Sequence, residues 1–372
     1  MANIQFSHIS KTFDGKKDVV KNFNLEAEDG EFIVIVGPSG CGKSTVLRMV
    51  AGLEEITAGE LLFDGAVVNN SEPSKRNVAM VFQNYALFPN MTVEENIGFA
   101  LKMKRMPRKE REERVAQMAK ILGLEDILKR KARKLSGGQC QRIAIGRALV
   151  CEPNVFLLNE PLSNLDAAMR MELRTEIAQL QRKLGVTTLY VTHDQTEAMT
   201  LGYRIVVMDQ GEIQQVDTAQ NIYCKPQNLF VAKFVGASTM NLFPGECVRS
   251  GNRIVVRVAE HDIELPEWKS RVLEDQGYVG KQVILGLRSE DIYPVCEGTV
   301  VPEGDFLSLD VAITAIDVVG AEKKLHFEMA DAEMIAMART YAAVSIGDTI
   351  TMKLAIPQIH LFDPETQLAI VH

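Results

Sequence analysis

Gly37-Pro38-Ser39-Gly40-Cys41-Gly42-Lys43-Ser44-Thr45 follows an apolar run at 31–36 and opens a helical pattern at 44–51. The order strand, GxxxxGK[ST], helix decides the fold class. Glycines let backbone amides close around phosphate oxygens, and the helix N-terminus adds favourable dipole charge. Lys43 offers a point charge to β- and γ-phosphates, and Ser44 an oxygen for Mg2+. Glycines at 37, 40 and 42 do not fit GxGxxG, which disfavours a dinucleotide fold. Cys41, beside Lys43 and a helix N-terminus, is expected to have a depressed thiol pKa and to be alkylated readily in the empty protein.

Working outward, β-rich runs recur at 78–82, 155–158, 187–192 and 204–208. Between them lie helical patterns, so residues 1–236 read as a mostly parallel sheet covered by helices, with a helical subdomain over about 88–150. Val115, Met118, Ala119, Ile121 and Leu122 recur near helical spacing in an otherwise charged segment, whose charges read as a solvated face. Met169, Leu173, Ile177, Leu180 and Leu184 mark a further amphipathic helix, ended by Gly185. After 236 the character changes. Short β-rich segments at 253–265, 283–287, 311–316, 351–355 and 360–362 are separated by Gly, Pro, Asp and Asn, which predicts an all-β barrel or sandwich over 237–372.

Composition narrows the function. The chain has 372 residues, 46% hydrophobic and 24% charged, with 41 basic and 49 acidic residues and a net charge of −8. Sequence-independent nucleic-acid binding needs a basic footprint and is disfavoured. No run approaches the ~18 apolar residues of a membrane span. The start, from Met1, has neither the basic nor the apolar region of a signal peptide. Six cysteines without CxxC or metal-ligand spacing read as reduced thiols of a cytoplasmic protein.

A second glycine-rich helix start, Leu135-Ser136-Gly137-Gly138-Gln139, offers another phosphate cradle about a hundred residues after the first. Together with the P-loop and VFLLNEPLSNLD at 155–166, it resembles the ATP-binding cassette of ABC transporters. The resemblance implies a P-loop ATPase domain in which the LSGGQ of one copy closes on the ATP held by the P-loop of a second copy. It implies that Gly37 through Thr45 and Ser136 through Gln139 bind nucleotide, and that Phe13 stacks on adenine. By the same likeness Gln83 senses Mg2+ and faces membrane subunits, and Glu160 polarises the attacking water. Asp166 links two active sites, and His193 contacts the γ-phosphate.

One departure stands out. The family has Asp before its catalytic Glu, whereas this chain has Asn159. An amide keeps one acceptor oxygen but loses the charge, so weaker Mg2+ affinity and slower hydrolysis are expected. Cys140 is a milder departure, at a place usually polar or basic. The tail carries Leu285-Gly286-Leu287-Arg288-Ser289-Glu290-Asp291-Ile292 and Ile359-His360-Leu361-Phe362. It resembles the oligonucleotide-binding-like regulatory domain of maltose-type importer ATPases, with Ser289 where that family more often has Pro.

The implied protein is a cytoplasmic-side ATPase subunit using ATP and Mg2+, paired with itself and docked on two membrane permease subunits. An extracellular solute-binding protein acts indirectly, and nucleic acid is not a partner. The cargo implied is a sugar or glycerol-phosphate. Polyamine, iron or oxyanion import, a cassette that binds but does not hydrolyse ATP, and a non-transport ABC ATPase acting on DNA or ribosomes are the alternatives. The last has long coiled-coil insertions or tandem cassettes, and this chain shows neither.

Overall fold

A computed structural model describes residues 2–15, 17–236, 238–251 and 253–372. Met1 and Ala237, named above at the chain start and the domain boundary, lie outside the described residues. The chain divides into two compact units, 1–219 and 220–372.

In the first unit a six-stranded sheet runs in the order Glu212–Asp217, Arg204–Asp209, Phe32–Val36, Thr187–Thr192, Val155–Asn159, Val78–Val81. All pairs are parallel except the antiparallel edge strand Glu212–Asp217. Both faces of the central strands are buried, which explains why Phe32–Val36 reads as a continuous apolar run. Ile33, Ile35, Leu157, Leu189 and Val191 share a core with Val46, Leu47 and Val50 of the Lys43–Ala51 helix.

That core also includes Phe6, Phe23 and Leu61, which belong to an element absent from the sequence reading. Asp18–Ala27, Ile4–Thr12, Ala58–Phe63 and Ala66–Val67 form a four-stranded antiparallel sheet. Three irregularities in the pairing of its first two strands, with His8 and Asn22 at positive φ, break the period-2 pattern that signals a strand. The charged segment is a helix, Arg108–Ile121, with Val115, Met118 and Ala119 buried, but Ile121 is exposed.

The second unit is built of antiparallel sheets: a six-stranded one (His261–Ile263, Arg253–Val258, Asn241–Ser250, Gln282–Leu287, His360–Phe362, Ala369–Val371) and two three-stranded ones. Phe243, Val256, Leu285, Phe327, Met352 and Leu361 lie in their common core. Two details differ from expectation. The run at 311–316 is two strands, Phe306–Ala312 and Ala315–Val319, in different sheets. The chain changes partners there, with Ile313 N donating to Asp348 O and Thr314 N to His326 O, and neither Gly nor Pro marks the switch. A helix, Glu267–Asp275, packs Lys269 and Leu273 inward, so the unit is not purely β.

The division at 219/220 also differs from the expected one at 236/237. Helices Ala219–Cys224 and Leu229–Phe234 read as the end of the first domain, yet all but one of their residues fall within the second unit. Leu229 and Ala232 pack with Met240 and Phe362, and Leu229 N donates to Gln367 O. Buried Arg288 donates from Nη2 to Tyr223 O at 2.9 Å and from Nη1 to Val235 O at 2.5 Å. Desolvation holds its pKa down to about 10. Arg288→Met removes two charge-assisted hydrogen bonds and leaves two carbonyls without them, so urea unfolding of the second unit is expected to lose about 2 kcal/mol or more. Unchanged stability would show that the guanidinium adds nothing to this junction.

Candidate functional site

Strand register assembles the site. Val36 pairs with Thr192, and Asn159 with Val191. The next residues, Gly37, Glu160 and His193, therefore leave the sheet side by side at its carboxyl edge, where open α/β sheets bind ligands.

The loop 37–42 is shaped by close approach of backbones. A Cβ on Gly37 would stand 2.1 Å from Met208 O. Gly42, at φ 104, caps the helix and would meet Val19 O at 2.6 Å, while Gly40 adopts φ 82. Lys43 is buried, and its ammonium donates to Gly37 O and Pro38 O, each at 2.8 Å. The loop is thus curled around its own lysine, with Pro38, Ser39, Gly40 and Cys41 lining a cavity of about 300 Å3. Cys41 Sγ lies 3.7 Å from Lys43 Nζ. Cys41 corrects the sequence reading: it is only 4% exposed, and burial pushes its thiol pKa up, outweighing the lowering by Lys43.

Ser44 Oγ donates to Asn159 Oδ1 at 2.8 Å, so the structure brings these two residues together. They and the Gln83 carboxamide are hard oxygen donors that suit Mg2+, which takes few protein ligands and retains water and phosphate oxygens. Among the described residues no group of three or more His, Cys, Asp or Glu is placed to hold a metal ion. Gln83 is exposed, and its carbonyl accepts from Asn164 Nδ2 at 2.9 Å.

Glu160 sits at φ 47, a left-handed conformation costing a non-glycine residue roughly 1–2 kcal/mol. It is held there by its N–H, which donates to Val191 O, and by Ser163 Oγ, which donates to Glu160 O. Its carboxylate Oε2 accepts from His193 Nδ1 at 3.1 Å, a contact that assigns the ring proton to Nδ1. The His193 side chain is 51% exposed and the Glu160 side chain 20%.

The second cradle is a helix start with a complete capping box. Ser136 Oγ accepts from Gln139 N, and Gln139 Oε1 from Ser136 N. A Cβ on Gly137 would stand 2.8 Å from Leu165 Cδ2 and one on Gly138 2.6 Å from Met169 Sδ, so those side chains would have to turn aside. Among the described residues no hydrogen bond joins this segment to the P-loop. Asp166 Oδ1 caps the Ala167–Leu184 helix by accepting from Met169 N. Phe13 is 54% exposed, with Lys11 Nζ 5.0 Å from its ring centroid. Thr45 is half-buried in the first turn of its helix.

Two residues escaped the sequence reading. Asn164 ties the Gln83 backbone to the segment after Glu160. Arg147 donates to Tyr85 O and Ala86 O, holding two consecutive positive-φ residues after Gln83. A cation in the last turn of a helix is favourable on dipole grounds alone, so nothing in the pattern singles Arg147 out.

Two outcomes check this geometry. Gly37→Ala is expected to abolish nucleotide binding, read by equilibrium dialysis, because the intruded atom is backbone and cannot turn aside. In the native protein at pH 8, iodoacetamide is expected to label exposed Cys224 well before Cys41, with Cys41 labelling rising only at higher pH. Faster labelling of Cys41 than of Cys224 would overturn the burial argument.

The family model for "ABC transporter" matches residues 20–163, and that for "MalK OB fold domain" matches 239–292. The oligosaccharides import ATP-binding protein MsmX of Bacillus subtilis (strain 168) is 46% identical over 370 residues, covering 100% of both chains. The trehalose/maltose import ATP-binding protein MalK of Thermococcus litoralis is 43% identical over 376 residues, again 100% of both. Among solved structures, cbiO1 from Clostridium perfringens, part of the ABC transporter complex cbiONQ, has a TM-score of 0.56 at 27% identity, over 59% of this chain and 89% of its own. The ATP-binding cassette MJ0796, a dimer in a post-hydrolysis state bound to ADP and Pi, has 0.52 at 33% identity, over 58% and 98%. With a P-loop at the sheet's carboxyl edge, an LSGGQ helix and a β-rich tail, the chain belongs to the ATP-binding proteins of ABC transporters, ATPases coupled to transport.

Proposed function

We propose that this chain energises import of a sugar or oligosaccharide through a membrane ABC importer, as one of two identical ATPase subunits on the cytoplasmic side. Two relatives named for oligosaccharide and for trehalose/maltose import, each aligned end to end, support that cargo class. Among the described residues no helix is long and apolar enough to cross a membrane, which supports separate permease subunits as partners. A solute-binding protein would deliver the cargo to them. The dimeric cassette among the structural neighbours supports self-pairing, with ATP between the P-loop of one copy and Ser136–Gln139 of the other.

The observation that carries the reading is the end of the Val155–Asn159 strand. There Asn159 meets Ser44 and the adjacent Glu160 meets His193. Phe13 would stack on the adenine, and the backbone N–H groups of 37–45 would receive the phosphates. Lys43 would exchange its two carbonyl acceptors for phosphate oxygens. Glu160 would orient the attacking water and accept its proton, while His193, whose Nε2 is left free by the Nδ1 contact, would face the γ-phosphate. Mg2+, when bound, neutralises phosphate charge and fixes the in-line geometry. Ser44, Asn159 and Gln83 would hold it, Asn159 with a neutral amide where a carboxylate would add Coulomb attraction.

The test is ATP turnover against Mg2+ concentration for this protein, Asn159→Asp and a Glu160→Gln blank. Turnover above the blank is expected. Asn159→Asp is expected to lower the half-saturating Mg2+ concentration by about 10- to 100-fold and to raise kcat. Identical Mg2+ curves and rates would overturn the role given to Asn159. Turnover confined to Asn159→Asp would instead favour a cassette that binds ATP and stalls.

A further inference from the structure

We propose that Arg170 is a positioning residue for hydrolysis, tying the backbone before Asp166 to the carboxylate after His193. This rests on the ATPase reading above. Its guanidinium donates from Nη2 to Leu165 O at 3.1 Å and from Nη1 to Asp194 Oδ2 at 3.3 Å.

Arg170 lies in the first turn of the Ala167–Leu184 helix, its N–H donating to Asp166 O. Cations are disfavoured at that end of a helix dipole, so local helix stability does not account for an arginine here. The pair is no loose surface contact either. The Arg170 side chain is 30% exposed and that of Asp194 24%, and Nε is buried. Asp194 divides its oxygens: Oδ1 caps the Gln195–Leu201 helix by accepting from Glu197 N, and Oδ2 is given to Arg170.

The two ends of this link are themselves fixed. On one side Ser163 N and Oγ donate to Glu160 O, and Leu165 N to Leu162 O, so 160–165 is a closed turn that carries Glu160. On the other, Asp194 N donates to Thr192 Oγ1, and Thr192 Oγ1 to the buried Glu197 carboxylate, which closes the turn carrying His193. The Glu160–His193 contact completes a ring: Glu160, Leu165, Arg170, Asp194, His193, and back to Glu160. Removing Arg170 opens the ring at the side remote from the reacting atoms. The two turns stay joined through Glu160 N–H to Val191 O and the strand pairing, but lose their tie at Leu165 and Asp194, so the imidazole is held less closely against the carboxylate. Arg170 touches neither nucleotide nor water in this scheme; it acts through Asp194 and Leu165.

The test compares Arg170→Met, Arg170→Lys, Asp194→Asn and the Arg170→Met/Asp194→Asn double variant, in the full chain and again with Asn159→Asp. Asn at 194 keeps the helix cap while removing the charge. Arg170→Met is expected to lower kcat about tenfold, the scale of a misplaced catalytic group, with KM for ATP changed less than twofold. Arg170→Lys should recover part of the loss, and the double variant should be no slower than the worse single one. In 15N-histidine-labelled protein the His193 Nδ1 resonance should move in Arg170→Met without nucleotide, a readout that needs no turnover. An unmoved resonance, or an unchanged kcat where the parent turns over, overturns the proposal. So does multiplicative loss in the double variant. Failure of the parent reading is separable, because it appears as equal rates for the parent, Asn159→Asp and the Glu160→Gln blank whatever stands at 170.

Discussion

Backbone pressed against backbone is the constraint from which the first unit's site follows. At Gly37 the chain passes so close to Met208 O that no side chain fits, and at Gly42 it passes as close to Val19 O. These approaches leave room only for glycine at the two positions, one against a strand of the parallel sheet and the other against a strand of the antiparallel sheet. The pairing of Val36 with Thr192 and of Asn159 with Val191 then sets three chain exits side by side. Gly37, Glu160 and His193 each directly follow the end of a rigid strand, so small changes of register would scatter them.

Strain and burial both occur at the site. Glu160 is held in a left-handed conformation by hydrogen bonds at both its amide and its carbonyl. Lys43 is buried with its ammonium donating to two carbonyls, and phosphate oxygens would be a better match for its charge. Asn159 accepts the hydrogen bond from Ser44 through Oδ1 while bringing no charge to the site. On the proposed reading, the shape of the site and its affinity for a divalent ion are decided by different properties of that one side chain.

Local patterns exposed the parts of the molecule whose cause is local. The Ala167–Leu184 helix announces itself by its apolar spacing and by Gly185, which caps it at φ 62. The strands Thr187–Thr192 and His360–Phe362 lie where their β-rich runs place them. The antiparallel sheet at the N-terminus was illegible because bulges interrupt its alternation, and the strand switch at Ile313 and Thr314 because no breaker residue marks it. Cys41 shows the commonest failure of residue-by-residue reasoning. Its neighbours in sequence lower a thiol pKa, and only three-dimensional burial reveals that desolvation is larger.

The sequence by itself determined that a phosphate-binding loop joins a strand to a helix, that a second glycine-rich helix start follows, and that a β-rich segment comes after them. Glycine spacing and apolar period encode these directly, since each depends on atoms a few residues apart. Tertiary structure alone decided that helices 219–234 belong with the tail, through Arg288 and the contacts of Leu229. It also decided that Asn164, Arg147 and Arg170 cross-link the loops around the site. Those residues bond to backbone carbonyls, and a carbonyl is present at every position, so no side-chain pattern can announce which one an asparagine or arginine will reach.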